Sequence, residues 1–421
     1  MQNQLGLDKK RCKNIASSAL ECTRVLLEMY RYRLAGTSEC RQAGHDMAEK
    51  LQIFCDKTEE EKFVLHPKAL WYLGKAIATI YLVSTVFIIW GGHFVYVGSI
   101  LCLIGLAYGL SQYVFYGRMF DPFFVKADGC NVVGTLEPIE AVKRQVVIVG
   151  HHDSPYIFTF LEQFQSIAFL RFLLGMVSYV WICIYSILFA IQQLNSTGPH
   201  SAKGAALWIT IIGLVFALQL FFMISRKPSP GAGDNLNSTS MCAEIGRYFK
   251  EERNGSTSLK HTRLIILSSD GEEIGQRGAI EFVRRHRSEL HAIPTSVFNM
   301  DSIYYYKDLA VLTRDRNYTC KLSKAMVSDV LYAAEENGIC LKPIPIPFGG
   351  GGTDAAAFAA AGIDAITIIA QPTGLISNGH LYHTSKDVVE SIDVNAVQAT
   401  VELAIAYIRN VDNSIWIAEK P

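Results

Sequence analysis

Histidine and acidic side chains recur in this sequence where short apolar runs end or a helical pattern begins. These side chains are His151, Asp153, Asp234, Asp270, Glu272, Glu273, Asp301, His380 and His383. Imidazole nitrogens and carboxylate oxygens suit zinc, and one carboxylate can bridge two metal ions. Two such ions lower the pKa of a bridging water, and a glutamate free of metal can accept that water's proton. The residue types therefore predict a metal-dependent hydrolytic site.

Strand-like and helical patterns alternate through the polar part of the chain. Strands are predicted at 131–138, 145–150, 263–269, 296–300, 309–313 and 365–370, and helices at 16–55, 237–251, 275–290, 319–337, 353–361 and 394–410. This alternation predicts an α/β sheet covered by helices on both faces. Ligands of such sheets bind beyond the carboxyl ends of the strands, so the candidate side chains can converge in one crevice. The first two predicted strands are close enough along the chain to pair.

Each motif is weak when it stands alone. A histidine two residues before an aspartate is common in hydrogen-bonded loops. Paired glutamates are common at helix starts, because acidic side chains interact favourably with that end of the helix dipole. Only the combination, in order and at successive strand ends, favours a metal site over these structural explanations.

Four stretches are long and apolar enough to cross a bilayer, which takes about 20 residues. They are 70–90, 94–116, 167–191 and 205–224. Tyrosine and tryptophan residues lie near their ends, as they do at the headgroup layer of membrane proteins. The alternative is that they are buried core helices of a large soluble domain. Four such runs, paired by short links, argue against it, as do the mean hydropathy of +0.20 and the 19% of charged residues.

Two hairpins formed by these spans would leave the rest of the chain on one side of the membrane. Basic residues near the spans fall mostly on that side, and the loops on the opposite side contain only Lys203. Because basic residues are retained on the cytoplasmic side, the large polar part is predicted to be cytoplasmic.

The composition excludes other classes of function. The 39 basic and 39 acidic side chains give zero formal charge, so no basic excess favours nucleic-acid binding. None of the ten cysteines forms a C-x-x-C pair, which argues against a zinc ribbon or a thioredoxin-type site. Reduced, buried thiols are the expectation.

The ordered motifs resemble those of the co-catalytic zinc peptidases of family twenty-eight, which include bacterial leucyl aminopeptidases and glutamate carboxypeptidase. That family's pattern runs G-x-H-x-D-S, D-N-x-S-G, E-E-x-G, N-x-D and Y-H-T. The matching segments of this sequence are VGHHDS, GDNLNS, GEEIGQRGA, FNMDSI and LYHTSKD. The likeness covers 33–55 and most of 128–410, and it excludes both hairpins.

The resemblance implies two zinc ions as cofactors and a ligand set for each. One zinc would take His151, Asp234 and Asp301, and the other would take Asp234, Glu273 and His383. Asp234 would then be the bridging carboxylate.

The same resemblance implies roles for three further side chains. Glu272 would be the general base, and Asp153 would be the acid that orients His151. Tyr382, next to the ligand His383, is a candidate for stabilising the oxyanion.

The fold class implied is a zinc-peptidase-like mixed sheet flanked by helices, with two inserted transmembrane helical hairpins. The expected divisions are an N-terminal helical part of the peptidase domain at 1–68, hairpins at 69–117 and 166–225, and the remaining peptidase domain at 118–165 and 226–421. The family joins its first histidine to its bridging aspartate by a short loop, whereas here a hairpin separates His151 from Asp234. That insertion should hold the crevice near the membrane surface. A smaller departure is Thr239 and Ser240, where the family pattern places glycine.

The leading hypothesis is a membrane-embedded di-zinc metallopeptidase, preferentially an aminopeptidase, acting on a peptide or amino-acid amide. The lipid bilayer is then a partner, and nucleic acid is not. Three alternatives stay open: a hydrolase of lipid-linked or N-acyl amino-acid amides, a glutaminyl cyclase, and a non-catalytic membrane protein with a peptidase fold.

Overall fold

The computed structural model describes residues 8–195, 202, 204–255, 258–346, 349–374 and 376–418. Lys203, used above to predict sidedness, lies outside the described residues. The strands, in chain order, are β1 (Lys57–Leu65), β2 (Ala127–Leu136), β3 (Arg144–His151), β4 (Tyr156–Phe158), β5 (Ile224–Pro228), β6 (Thr262–Ser269), β7 (Thr295–Ile303), β8 (Leu309–Asp315), β9 (Cys320–Lys321), β10 (Lys342–Pro345) and β11 (Asp364–Ala370).

Nine of the described strands form one mixed sheet in the order β1-β2-β6-β3-β7-β11-β8-β10, with β9 paired to β8. The four central strands β6, β3, β7 and β11 run parallel, so their carboxyl ends meet at one edge. Strands β4 and β5 form a separate two-stranded sheet. All six predicted strands are present, and they are flanked by helices as the α/β pattern predicts.

Strands β2 and β3, which are close enough along the chain to pair, do not pair, because β6 lies between them. Strand β2 is antiparallel to β6, and β3 is parallel to β6. The link from β2 to β3 crosses the start of β6, where the backbone amides of Ile139 and Glu140 donate to the carbonyls of Leu259 and Lys260. Proximity along the chain therefore did not predict proximity in the sheet.

Strand β1 is an edge strand within the N-terminal part that was expected to be helical. Its sequence, KTEEEKFVL, carries five charged side chains before the inward-facing Phe63 and Leu65. Charged residues on an edge strand discourage pairing with other chains. They also weaken the hydrophobic alternation by which a strand is recognised in a sequence.

The helices cover both faces of the sheet and form a separate apolar bundle. In chain order they are α1 (Lys9–Met29), α2 (Ser38–Gln52), α3 (Lys68–Trp71), α4 (Leu73–Trp90), α5 (Phe94–Gly109), α6 (Thr159–Phe164), α7 (Ala168–Leu194), α8 (Ala205–Gln219), α9 (Asn237–Glu251), α10 (Arg277–Ala292), α11 (Lys324–Asn337), α12 (Ala355–Ala360) and α13 (Val394–Ala418). Helices α1, α2, α9, α11 and α13 bury apolar side chains on one face of the sheet, and α10 and α12 do so on the other.

Among the described residues, four helical segments are long and apolar enough to cross a membrane: Lys68–Trp90, Phe94–Val114, Thr159–Leu194 and Ala205–Phe222. Helix α4 packs on α5 and α8, and α7 packs on α5 and α8, so the two hairpins form one bundle. Hydroxyl groups link the helices: Ser99 donates to the Ser186 carbonyl at 2.9 Å, and Tyr179 donates to the Cys102 carbonyl at 3.0 Å. Small residues let the helices approach closely.

The outer face of the bundle is strongly apolar. Its exposed aliphatic side chains are Leu82, Ile89, Val97, Ile100, Leu103, Ile104, Val177, Val180, Ile184, Leu188, Ile191, Ile209, Ile212 and Val215. Soluble monomers rarely expose contiguous apolar surface on this scale, so the bundle carries a face that water would not stabilise.

We predict that Gly105→Ala destabilises the bundle, whereas Gly109→Ala, one turn further along the same stretch, does not. A Cβ at residue 105 would collide with the Tyr179 hydroxyl, whereas a Cβ at residue 109 meets open space. Overpacking of this kind costs about 1–3 kcal/mol. Thermal unfolding of the detergent-purified variants measures the difference, and equal midpoints for both would contradict the helix packing described here.

Candidate metal centre

The five predicted ligands lie at or beyond the carboxyl ends of the parallel strands. His151 ends β3, Asp301 lies near the end of β7, and Glu273 follows β6. Asp234 lies in the segment before α9, and His383 lies in the loop that follows β11. The sheet therefore brings together side chains that are far apart in the sequence.

Asp234 lies between the two histidines. Its Oδ1 is 3.4 Å from Nε2 of His151, and its Oδ2 is 3.3 Å from Nε2 of His383. One carboxylate thus directs a separate oxygen toward each imidazole, the arrangement that bridging between two cations requires.

Two groups of ligand atoms share Asp234. The atoms of His151, Asp234 and Asp301 lie within 4.8 Å of one another, and so do those of Asp234, Glu273 and His383. His383 Nε2 is 3.0 Å from Glu273 Oε2, and His151 Nε2 is 4.0 Å from Asp301 Oδ2. These groups have the composition of the two ligand sets that the family resemblance implies.

Asp153 connects the end of β3 to the turn after β6. Its Oδ1 is 3.2 Å from Nδ1 of His151, and its carboxylate accepts the backbone amides of Glu272 and Glu273 at 3.2 Å each. Because both amides are bound by one carboxylate, the position of the Glu272–Glu273 turn is fixed relative to His151. Glu272 Oε2 lies 3.8 Å from His151 Nε2.

Arg33 holds both loops that carry the first two ligands. It is fully buried, and it donates Nε to the His152 carbonyl at 2.8 Å and its terminal nitrogens to the carbonyls of Pro230 and Gly231 at 3.1 and 2.8 Å. Burial lowers the pKa of Arg33 to about 10. The family likeness noted in the sequence begins at residue 33, and it is the signal that pointed to this position.

Asp387 is a buried acid near the centre to which the sequence analysis gave no role. Its carboxylate accepts the backbone amides of Gly233 and Asp234 at 2.7 and 3.3 Å. A Cβ at Gly233 would collide with the ring of Tyr304, so only glycine allows this close approach. Its place four residues after His383, in LYHTSKD, is the signal that could have identified Asp387.

Tyr382 and His380 take different positions in the same loop. The Tyr382 ring stacks on the imidazole of His383, with 3.9 Å between the ring centroids. His380 Nε2 lies 2.6 Å from the Ser377 hydroxyl, and its ring contacts Phe169. Among the described residues His380 belongs to none of the groups of candidate metal ligands.

Buried carboxylates crowd this centre. Burial raises the pKa of Glu272 and Asp301 well above the ordinary range, and it raises the pKa of Glu273 to about 7. Burial would also raise the pKa of Asp234, but the neighbouring imidazoles of His151 and His383 lower it overall. Like charges held together away from water are unfavourable unless cations compensate them.

Unpaired atoms of the candidate ligands also indicate that cations belong at this centre. His151 Nε2, Asp234 Oδ2 and Glu273 Oε1 are buried and form no hydrogen bond of acceptable geometry with any described residue. Buried polar atoms in native proteins nearly always have partners. The donor set, two imidazoles and several carboxylates, fits zinc in both chemistry and charge.

Comparison with known proteins agrees with this chemistry. The model of Peptidase family M28 matches residues 221–408, less than half of the chain, and this range includes Asp234, Glu272, Glu273, Asp301 and His383. No protein with curated annotation matches the chain significantly.

Solved structures show the fold. A zinc aminopeptidase from Bacillus subtilis is 15% identical with a TM-score of 0.55, and 94% of each chain is covered. A zinc-dependent exopeptidase from Parabacteroides distasonis is 14% identical with a TM-score of 0.54, covering 94% of this chain and 98% of that one. A glutaminyl cyclase from Porphyromonas gingivalis is 13% identical with a TM-score of 0.55, covering 94% and 98%. The chain therefore has the mixed α/β fold of zinc aminopeptidases.

Charge crowding predicts opposite effects of Asp301→Asn with and without metal. In chelator-treated protein the variant should unfold several degrees above the wild type, because one buried carboxylate has been removed. In untreated protein it should contain less zinc and unfold at a lower temperature, because binding to the folded state stabilises it. Thermal unfolding and zinc content measure both effects.

The matched control is Asp364→Asn, which changes an exposed acid at the start of β11. It should alter neither the zinc content nor the response to chelator. A wild-type midpoint that does not respond to chelator would contradict a metal at this centre.

Proposed function

We propose that this chain is a membrane-embedded member of peptidase family M28 that hydrolyses amide bonds with two zinc ions. The observation that carries the proposal is the position of Asp234, whose two oxygens face His151 and His383 separately. The partial match to the family model and the fold of the zinc exopeptidases support it.

The ligand sets proposed are His151, Asp234 and Asp301 for one ion, and Asp234, Glu273 and His383 for the other. Two bound zinc ions would polarise the scissile carbonyl and the attacking water. Asp153 orients His151 through Nδ1, which leaves Nε2 as the ligand atom.

Glu272 is the proposed general base. It is buried beside His151, and burial favours its protonated form, so it can take a proton from water and hold it for the leaving amine. Asp153 accepts the backbone amides of both Glu272 and Glu273, so it fixes the main chain of the turn. The two side chains can then take different roles, Glu272 as base and Glu273 as ligand. Tyr382, stacked on His383, is the candidate donor to the oxyanion.

We predict that Glu272→Gln lowers amide hydrolysis by at least about 100-fold while zinc stays bound, because only proton transfer is removed. Glu273→Gln is the matched comparison: it should lose zinc as well as activity, because it removes a ligand. Zinc content and initial rates on purified protein separate the two effects. Normal hydrolysis by the Glu272 variant would refute the mechanism.

The four apolar helices are proposed to span the membrane as two hairpins, with the divisions at 69–117 and 166–225. Their exposed aliphatic face supports this, since a bilayer is the environment that such a face requires. Arg171, near the start of α7, donates Nε to the Gln219 side-chain oxygen at 2.7 Å and lies over the ring of Phe160. Its charge is therefore compatible with a membrane span. The remaining polar chain is proposed to be cytoplasmic.

Thiol labelling of intact cells tests the sidedness. Cys340 is exposed in the polar part, and Gly92 lies in the turn between α4 and α5 with open space around it. A membrane-impermeant maleimide should label Gly92→Cys, in a Cys340→Ser background, without permeabilisation. It should label Cys340 itself only after permeabilisation. The reverse pattern would overturn the proposed orientation.

A hydrolase of lipid-linked amides is the second candidate, because residues at the ends of the spans contact the loops around the centre. Tyr113 donates its hydroxyl to the Gly349 carbonyl at 2.8 Å, and its own carbonyl accepts the Asn317 amide at 2.7 Å. Its ring also contacts Phe172 of α7 at 5.5 Å between centroids. An apolar substrate chain in the bilayer would thus lie close to the crevice.

A substrate panel separates the candidates. Aminoacyl anilides, long-chain N-acyl amino-acid amides and peptides with N-terminal glutamine report aminopeptidase, lipid-amide hydrolase and cyclase activity respectively. We expect chelator-sensitive hydrolysis of the anilides. Turnover of another class alone would assign the site to that chemistry, and zinc-free, inactive protein would favour the non-catalytic alternative.

A further inference from the structure

We infer that Cys40, His152 and Asp270 form a separate binding site for a thiolate-preferring divalent cation such as zinc. One ligand atom from each residue lies within 4.8 Å of the others, and all three side chains are fully buried. Cys40 lies in the first turn of α2, His152 directly follows β3, and Asp270 directly follows β6. The inference does not depend on the proposed hydrolytic function.

The imidazole of His152 has one nitrogen bound and one free. Nδ1 lies 2.8 Å from the Ser268 hydroxyl, whereas Nε2 is buried with no hydrogen-bond partner among the described residues. An ideal Cβ on Gly44 would lie 3.0 Å from Nε2, so this nitrogen points at α2, the helix that carries Cys40. A buried imidazole nitrogen without a partner is unusual in a hydrogen-bonded core and ordinary in a metal ligand.

The carboxylate of Asp270 is held in place by the neighbouring strand. Its Oδ2 accepts the backbone amide of Cys130 at 2.9 Å, and its Oδ1 lies 3.3 Å from the Cys40 sulfur. The Asp270 backbone amide donates to the Asn131 side chain at 3.1 Å, which fixes the main chain as well. Oδ1 is therefore directed at the thiol rather than at solvent.

Thiolate, imidazole and carboxylate are the three ligand types that zinc takes, and a water can complete a tetrahedral site. Tetrahedral bonds of ordinary length separate ligand atoms by about 3.4–3.7 Å, so binding needs only small side-chain movements. The cation would displace the thiol proton to solvent. One thiolate and one carboxylate would then neutralise its two positive charges, which suits a site lined by fully buried side chains.

The position of the cluster indicates what the cation would do. Helix α2 would be tied to the residues that directly follow β3 and β6, the strands that position His151 and the Glu272–Glu273 turn. His152 is adjacent to His151, and Asp270 is two residues before Glu272. The cation would act as a structural link behind the candidate centre, without contact with substrate.

Cobalt spectroscopy tests the inference independently of activity. A thiolate bound to Co²⁺ gives a sulfur-to-metal charge-transfer band in the near ultraviolet, and the candidate metal centre has only nitrogen and oxygen ligands. Because the site is buried, the full-length protein is to be produced in cobalt-containing medium, so that the cation enters during folding. We expect the band in the wild type and its loss in Cys40→Ser, with one fewer metal equivalent per chain.

Cys242→Ser is the matched control, since Cys242 is a buried helical cysteine outside every group of candidate metal ligands among the described residues. It should retain the band. If Cys40→Ser does not fold, the test is the charge-transfer band of the wild type and of His152→Gln. The band should be present in the wild type and lost or weakened in His152→Gln. A folded, cobalt-loaded wild type without a charge-transfer band, or a Cys40→Ser variant that keeps the band, would overturn the inference.

Discussion

Four buried carboxylates repel one another at the candidate metal centre, and the surrounding structure must overcome that repulsion. Asp234, Glu272, Glu273 and Asp301 converge where water cannot screen them, and two imidazoles are the nearest compensation. Such an arrangement is unfavourable in a protein core unless bound cations compensate the negative charges. The strands, the neighbouring acids Asp153 and Asp387 and the buried Arg33 hold these side chains together against that repulsion.

Hydrogen bonds from side chains to the backbone contribute to this restraint. Asp153 and Asp387 each bind two consecutive backbone amides, and Arg33 binds the carbonyls of both ligand loops. These contacts fix the main chain that carries the candidate ligands, rather than the ligand atoms themselves. In metalloproteins, residues that orient metal ligands in this way commonly affect metal affinity.

The sequence predicted those parts of the fold that leave a local pattern. Strand ends, the apolar helices and the order of the ligands were recognisable because each depends on residues close together in the chain. Strand β1 was missed because its charged edge hides the alternation, and the position of β6 between β2 and β3 depends on pairing across more than a hundred residues. The part played by Arg33 could not be derived from residue types, because its partners are main-chain carbonyls of distant loops.

The small β4–β5 sheet determines how the second apolar hairpin joins the polar part. It pairs Tyr156 with Pro228, and the Ser229 amide donates to the Pro155 carbonyl at 2.8 Å. The two ends of the second hairpin therefore leave and rejoin the polar part side by side. An apolar hairpin of any length fits at such a junction without changing the distance between His151 and Asp234, because its two ends lie on neighbouring strands.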